Sequence, residues 1–159
     1  MSDAPRVWRA TPDDAADVTR LLLAFRDWFE GAVPSEQQMR DSVERLIVDP
    51  NTEFLLAALA DRATGVCQLR FRHSVWVSSE DCWLEDLFVE EGARGMGLGR
   101  TLVLAACERA SERGAQRIEL DTNESNAGAI ALYESLGFSA ASKVHGAVHG
   151  RDLFMGRRL

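Results

Sequence analysis

No apolar run in the chain approaches the roughly 18 residues needed to span a bilayer. No charged stretch followed by an apolar one opens it either, so neither a membrane span nor export is expected. Its three cysteines, Cys67, Cys82 and Cys107, are odd in number and lack C-x-x-C spacing, so a reduced cytoplasm is the expected compartment. Lysines and arginines form no run, and the formal net charge is −7, which argues against nonspecific nucleic-acid binding and is compatible with a cationic substrate. His145 and His149 lie four apart, but Gly146 and Gly150 disfavour a helix there, and no metal site is expected. There is a single tyrosine, Tyr133. Repeats, linkers and low-complexity segments are absent, so the 159 residues are read as one domain, 1–159. A chain of that length buries roughly two-thirds of its unfolded surface.

What is present reads as alternating elements. Val7 to Ala10 suits a short strand. Thr11 can cap the helix that follows, Pro12 fits its first position, and Asp13 and Asp14 suit the positive end of its dipole. Val18, Leu21, Leu22, Phe25 and Phe29 recur at helical spacing. Ser35 with Gln38 forms a capping-box pattern for a second helix, Glu36 to Val48. Phe54 to Ala60 and Val66 to Trp76 read as strands across the turn Asp61 to Gly65. A helix from Leu98 to Ala110 ends near Gly114, Ile118 to Thr122 reads as a strand, and Ala127 to Leu136 as a fourth helix. Strands near Ala140 to Val144 and Asp152 to Arg157 complete an α+β arrangement with one mixed sheet.

The stretch from Cys82 to Thr101 organises the rest. Trp83-Leu84 and Leu87-Phe88-Val89 read as a buried strand interrupted by Glu85 and Asp86. It empties into Arg94-Gly95-Met96-Gly97-Leu98-Gly99-Arg100 and then a helix. Glycines in a strand-to-helix turn let backbone approach a ligand closely, and the first helical amides then point at it. That is an anion cradle, suited to phosphate. A Rossmann fingerprint is excluded, because its third glycine would fall on Arg100; a P-loop is excluded for want of Gly-Lys-Ser/Thr.

The remaining pattern, Arg-x-x-Gly-x-Gly from Arg94 to Gly99, resembles the diphosphate loop of the GNAT family, the Gcn5-related N-acetyltransferases. Further on, Asn126 to Phe138, with Tyr133 and the closing Gly137-Phe138, is similar to that family's second motif. The resemblance implies the GNAT fold, a central mixed β-sheet flanked by helices, with two strands splayed to form an acyl-CoA cleft. It implies acetyl-CoA as donor cosubstrate. Main chain at Leu87, Phe88 and Val89 would face the pantetheine arm much as a neighbouring strand does. The diphosphate would sit on amides from Arg94, Gly95, Met96, Gly97, Leu98, Gly99 and Arg100, with Thr101 adding a hydroxyl. Asn126 and Tyr133 would supply further cofactor contacts, and Asn126 also suits a helix cap.

An amine nucleophile arrives protonated, with an unperturbed pKa of about 10.4, and needs a base. Glu85 is the first candidate. Strand alternation puts it on the face of Leu87 and Val89, and burial there would raise its pKa. The plainer reading makes Glu85 and Asp86 a carboxylate pair neutralised by Arg70 and Arg72. Tyr133 is the candidate acid for the leaving sulfur, with core packing as its plainer reading. Asp86, Trp28 and Glu30 are candidate acceptor contacts. The run Trp83-Leu84-Glu85-Asp86 is similar to a stretch of diamine and polyamine acetyltransferases, which points to a small amine acceptor, polyamine or amino-acid-like. Protein N-terminal or lysine acetylation, and acyl-CoA binding without turnover, stand as the other readings. A homodimer is the expected assembly.

Overall fold

A computed structural model describes residues 4–140 and 156–158. They fall in two compact units, divided after Asp121. In the first, five strands form one mixed sheet in the order β1-β2-β3-β4-β5. These are β1 (Arg6–Arg9), β2 (Thr52–Ala58), β3 (Gly65–Ser74), β4 (Ser79–Val89) and β5 (Ile118–Glu119). The first four pair antiparallel in sequence order, and β5 runs parallel to β4. Three helices belong to this unit: α1 (Ala15–Trp28), α2 (Glu36–Leu46) and α3 (Leu98–Glu112). In the second unit, α4 spans Ala127–Ser135. The two strands expected near Ala140 to Val144 and Asp152 to Arg157 lie, except for Ala140, Gly156 and Arg157, outside the described residues.

Local chemistry explains the helix boundaries. A 3-10 turn, Pro12–Asp14, leads into α1, and the Asp14 carboxylate accepts the Thr11 N–H at 2.8 Å. At α2 the expected capping box forms: the Gln38 N–H reaches Ser35 Oγ at 3.2 Å, and the Ser35 N–H reaches Gln38 Oε1 at 2.9 Å. The hairpin between β3 and β4 turns earlier than its apolar residues suggest. Val75 and Trp76, expected inside the strand, lie exposed in the turn. Ser79, Glu80 and Asp81 begin β4, ahead of the stretch from Cys82 that the sequence marks out. Asp81 is buried there and bound in bidentate fashion by Arg117, at 2.8 and 2.7 Å. That pairing anchors the entrance to β5.

The sheet is covered on both faces. On one, Val18, Leu21 and Leu22 of α1 and Val43 of α2 pack against Phe54, Leu56, Val66 and Phe88. On the other, α3 buries Leu98, Leu102, Val103 and Ala106. This second face carries a buried charge, Glu53 of β2, held by Arg109 at 2.8 and 2.9 Å and flanked by Arg113 and Arg9. Burial alone would raise its pKa, but the Arg109 hydrogen bonds and the surrounding guanidinium charge outweigh it and hold the carboxyl below its ordinary value.

Candidate active site

The first unit builds its site at the C-terminal half of β4. Pairing with β5 covers Cys82↔Ile118 and Trp83↔Glu119 and ends there. From Leu84 onward, the edge of β4 opposite β3 has no strand partner among the described residues. A one-residue bulge decides which main-chain groups face that open edge. Leu69 pairs with Leu84 and Gln68 with Asp86, so Glu85 is the inserted residue. Before the bulge, the Cys82 N–H points to β5, donating to Arg117 O at 3.2 Å. After it, the Glu90 N–H points to the β3 side, donating to Thr64 O at 2.9 Å. Counting back by alternation, the amides of Leu87 and Val89 face the open edge. An unbulged strand would have turned them toward β3.

The bulge also redistributes the side chains, and it corrects the expectation for Glu85. Leu87 pairs with Cys67, and Asp86 with Gln68, on opposite faces of the sheet. Glu85 leans to the Gln68 side, where it accepts from Gln68 Nε2 at 3.0 Å, so it does not share the face of Leu87. Its side chain is 45% exposed, with Arg70 at 3.9 Å. The burial expected at Glu85 is found one residue on. Burial pushes the Asp86 carboxyl up to about 6, and the negative charges of Glu85 and Asp121 add to the shift.

Asp86 opens onto a cavity of about 340 Å³ between the sheet and the α1–α2 pair. Leu22, Phe25 and Phe29 line it from the first helix and its end, and Met39, Val43 and Leu46 from the second. Phe54 and Gln68 complete the sheet side, and Val33 and Pro34 the connecting loop. Of these lining residues, only Asp86 is marked as a site residue by the sequence. Met39, Val43 and Leu46 do recur at helical spacing along α2, and Gln68 interrupts a buried apolar run in β3, which are the signals that could have found them. Trp28, an expected acceptor contact, does not line the cavity; it is half exposed and lies against Phe29 with ring centroids 4.7 Å apart. Glu30 does not line it either, and sits exposed at the end of α1 with φ of 55°.

Beyond β4, the chain passes through a 3-10 turn, Glu91–Ala93, to the glycine loop. Gly97 caps α3 with φ of 88°, and Gly95 has φ of 76°; both conformations favour glycine. A Cβ on either would meet nothing within 4 Å among the described residues, so the backbone there is open to a ligand. Leu98, Gly99 and Arg100 precede the first intrahelical bond, Thr101 N to Gly97 O at 3.0 Å, and the positive end of the helix dipole lies with them. Met96 is exposed, whereas the Leu98 side chain is buried. Thr101 differs from expectation, since its hydroxyl donates back to Gly97 O at 2.9 Å. Arg94 turns toward the strand, donating from Nε to Val89 O at 2.9 Å. These loop residues fit a diphosphate.

In the second unit, Asn126 caps α4, accepting the Ala129 N–H at 3.3 Å on Oδ1. Tyr133 is buried on the same helix, with its ring 5.7 Å from that of Phe138. Among the described residues no cluster of His, Cys, Asp or Glu suits a metal ion, and no helix is long and apolar enough to cross a membrane.

Comparison with known proteins gives the class to which this strand, carboxylate pair and glycine loop belong. The profile of the acetyltransferase (GNAT) family matches residues 18–138, and the chain belongs to that family. It is an N-acetyltransferase by class. The thialysine N-epsilon-acetyltransferase of Caenorhabditis elegans is 27% identical over 139 residues, covering 86% of this chain and 84% of that one. The aminoglycoside N(6')-acetyltransferase type 1 of Stenotrophomonas maltophilia is also 27% identical, covering 91% and 92%. A crystal structure from Arthrobacter sp. FB24, assigned to the acetyltransferases, has a TM-score of 0.81 at 31% identity and covers 98% of this chain and 95% of its own.

Proposed function

We propose that the protein moves an acetyl group from acetyl-CoA to the primary amine of a small molecule, by direct attack within a ternary complex. The observation that supports this most is Asp86, a carboxyl of raised pKa set between the cavity and the open edge of β4. The relatives named for thialysine and aminoglycoside acetylation both act on amines of small molecules, as their names state.

Acetyl-CoA supplies the activated acyl carbon and a thiolate that can leave. Everything else falls to the chain. The amides of Leu98, Gly99 and Arg100, with the open backbone at Gly95 and Gly97, hold the diphosphate. The Leu87 and Val89 amides hold the donor along the β4 edge, and one of them stabilises negative charge on the reacting carbonyl oxygen. Asp86 takes the proton of the incoming ammonium. A carboxyl with pKa of about 6 is ionised at neutral pH yet basic enough to hold a proton in passing. Glu85, exposed beside Arg70, holds the approaching cation by charge. Asn126 and Tyr133 keep the roles that the resemblance gives them, with Tyr133 protonating the leaving sulfur.

Initial-rate kinetics with acetyl-CoA and an amine panel, read as thiol release, test this reading. Intersecting double-reciprocal lines are expected. Parallel lines would indicate a covalent acyl-enzyme and overturn direct attack.

A further inference from the structure

The walls of the cavity say what kind of amine fits. Among its described lining residues, Asp86 is the one carboxylate and Arg26 the one cation. Arg26 is committed: Nε and one terminal nitrogen bind Asp27 Oδ1, at 2.8 and 2.6 Å, and the other terminal nitrogen donates to Pro34 O at 2.7 Å. The Ser42 hydroxyl donates to Gln38 O at 2.8 Å, and the Gln68 amide is engaged with Glu85. The remaining surface is hydrocarbon, aromatic or thioether, with Phe25, Phe29, Met39 and Leu46 prominent in it. At about 340 Å³ the cavity lies near the lower end of ligand pockets, which run from roughly 300 to 1,000 Å³.

We infer that the acceptor is a monoamine with an apolar aliphatic or aromatic body: its single ammonium lies at Asp86, and its body fills the α1–α2 cavity. This rests on the function proposed above and narrows it. The amine end is acidic, because Glu85 and Asp121 stand near Asp86, so one ammonium is well held there. The far end is not. A second ammonium carried into it would lose part of its water against Phe25 and Met39, with no carboxylate among the described lining residues to receive it there and the Arg26 guanidinium among the walls. Polyamines and aminoglycosides, with several ammonium groups, are therefore expected to be poor acceptors.

The test is a comparison of acceptors of matched size. Heptylamine and hexane-1,6-diamine differ by exchange of a terminal methyl for an ammonium. With acetyl-CoA saturating, kcat/KM for heptylamine is expected to exceed that for the diamine at least tenfold. From propylamine to heptylamine it should rise about three- to fourfold per methylene, the usual transfer gain on burial. Met39→Glu places a carboxylate on the far wall and should lower the heptylamine-to-diamine ratio by at least tenfold; if that variant does not fold, Ser42→Asp, at an exposed lining position, makes the same test. A wild-type preference for the diamine, or a ratio unchanged in the folded carboxylate variant, overturns the inference while leaving amine acetylation standing. Absence of thiol release with every amine, although acetyl-CoA binds, removes the function beneath it as well.

Discussion

Arg94 lies over the ring of Trp28, its guanidinium carbon 4.9 Å from the ring centroid, while its Nε donates to Val89 O. One residue thus ties the end of α1 to both the glycine loop and the exit of β4. From the sequence, Arg94 is expected on the donor and Trp28 on the acceptor, and this contact makes them one unit. Partly exposed cation–π pairs contribute about 0.5–1 kcal/mol, or a factor of roughly two to five in a coupled equilibrium. Trp28→Leu should therefore weaken acetyl-CoA binding two- to fivefold by calorimetry, although Trp28 stands on the helix that walls the acceptor cavity. Unchanged donor affinity would show that the contact carries no coupling.

Gly97 is the residue whose backbone the cradle cannot replace. Its φ of 88° costs an L-residue about 1–2 kcal/mol, so Gly97→Ala should lower Tm by several degrees without abolishing folding. A Cβ there meets nothing within 4 Å among the described residues, so it projects into the space assigned to the diphosphate. Acetyl-CoA affinity should fall at least tenfold, while affinity for the acceptor is retained. Calorimetry on the folded variant reads both.

Tyr133→Phe removes one oxygen from a buried side chain whose ring packs near Phe138. If the phenol protonates the departing sulfur, kcat and kcat/KM should fall together by on the order of 10²-fold, with acetyl-CoA affinity changed less than tenfold. A core role alone predicts the reverse, a loss of Tm with kcat intact. Steady-state kinetics alongside thermal melts separate the two.

Features fixed within one short segment were legible in the sequence. The Ser35–Gln38 box, the glycine turn from Gly95 to Gly99 leading into a helix, and the amphipathic stripe Val18-Leu21-Leu22 each need only neighbouring residues to be read. The α+β arrangement with one mixed sheet followed from the order of the elements along the chain. The bulge at Glu85 did not, because it is a property of two strands. Nothing in Leu84-Glu85-Asp86-Leu87 says that Gln68 takes Asp86 as its partner and Leu69 takes Leu84. Uninterrupted alternation therefore put burial on the wrong member of the carboxylate pair. The cavity was invisible for a similar reason: its walls come from Phe25, Met39 and Gln68, which meet only after α1 and α2 dock on the sheet.

Asp86 should also weaken the fold at neutral pH. Its folded pKa of about 6 lies above the ordinary 3.8, so the protonated form is the one that folding favours. The stability this contributes is fully present below 3.8 and is lost as pH rises through about 6. By linkage the loss is at most about 3 kcal/mol. Asp86→Asn should raise Tm at pH 7.5 clearly more than at pH 4. An equal effect at both would place the carboxyl in water.

The pH dependence of kcat/KM for an amine acceptor, measured for the wild type, Glu85→Gln and Asp86→Asn, bears most directly on the assignment of the base. The wild type should rise through an inflection near 6 and then level, because ionised Asp86 accepts the ammonium proton. Glu85→Gln should keep that shape with a raised amine KM. Asp86→Asn should lose the inflection, fall by about 10²-fold at pH 7, and then climb in proportion to free amine toward its pKa of about 10.4. An Asp86→Asn enzyme that retains the inflection near 6 and near-normal kcat/KM would contradict the assignment of Asp86 as the base.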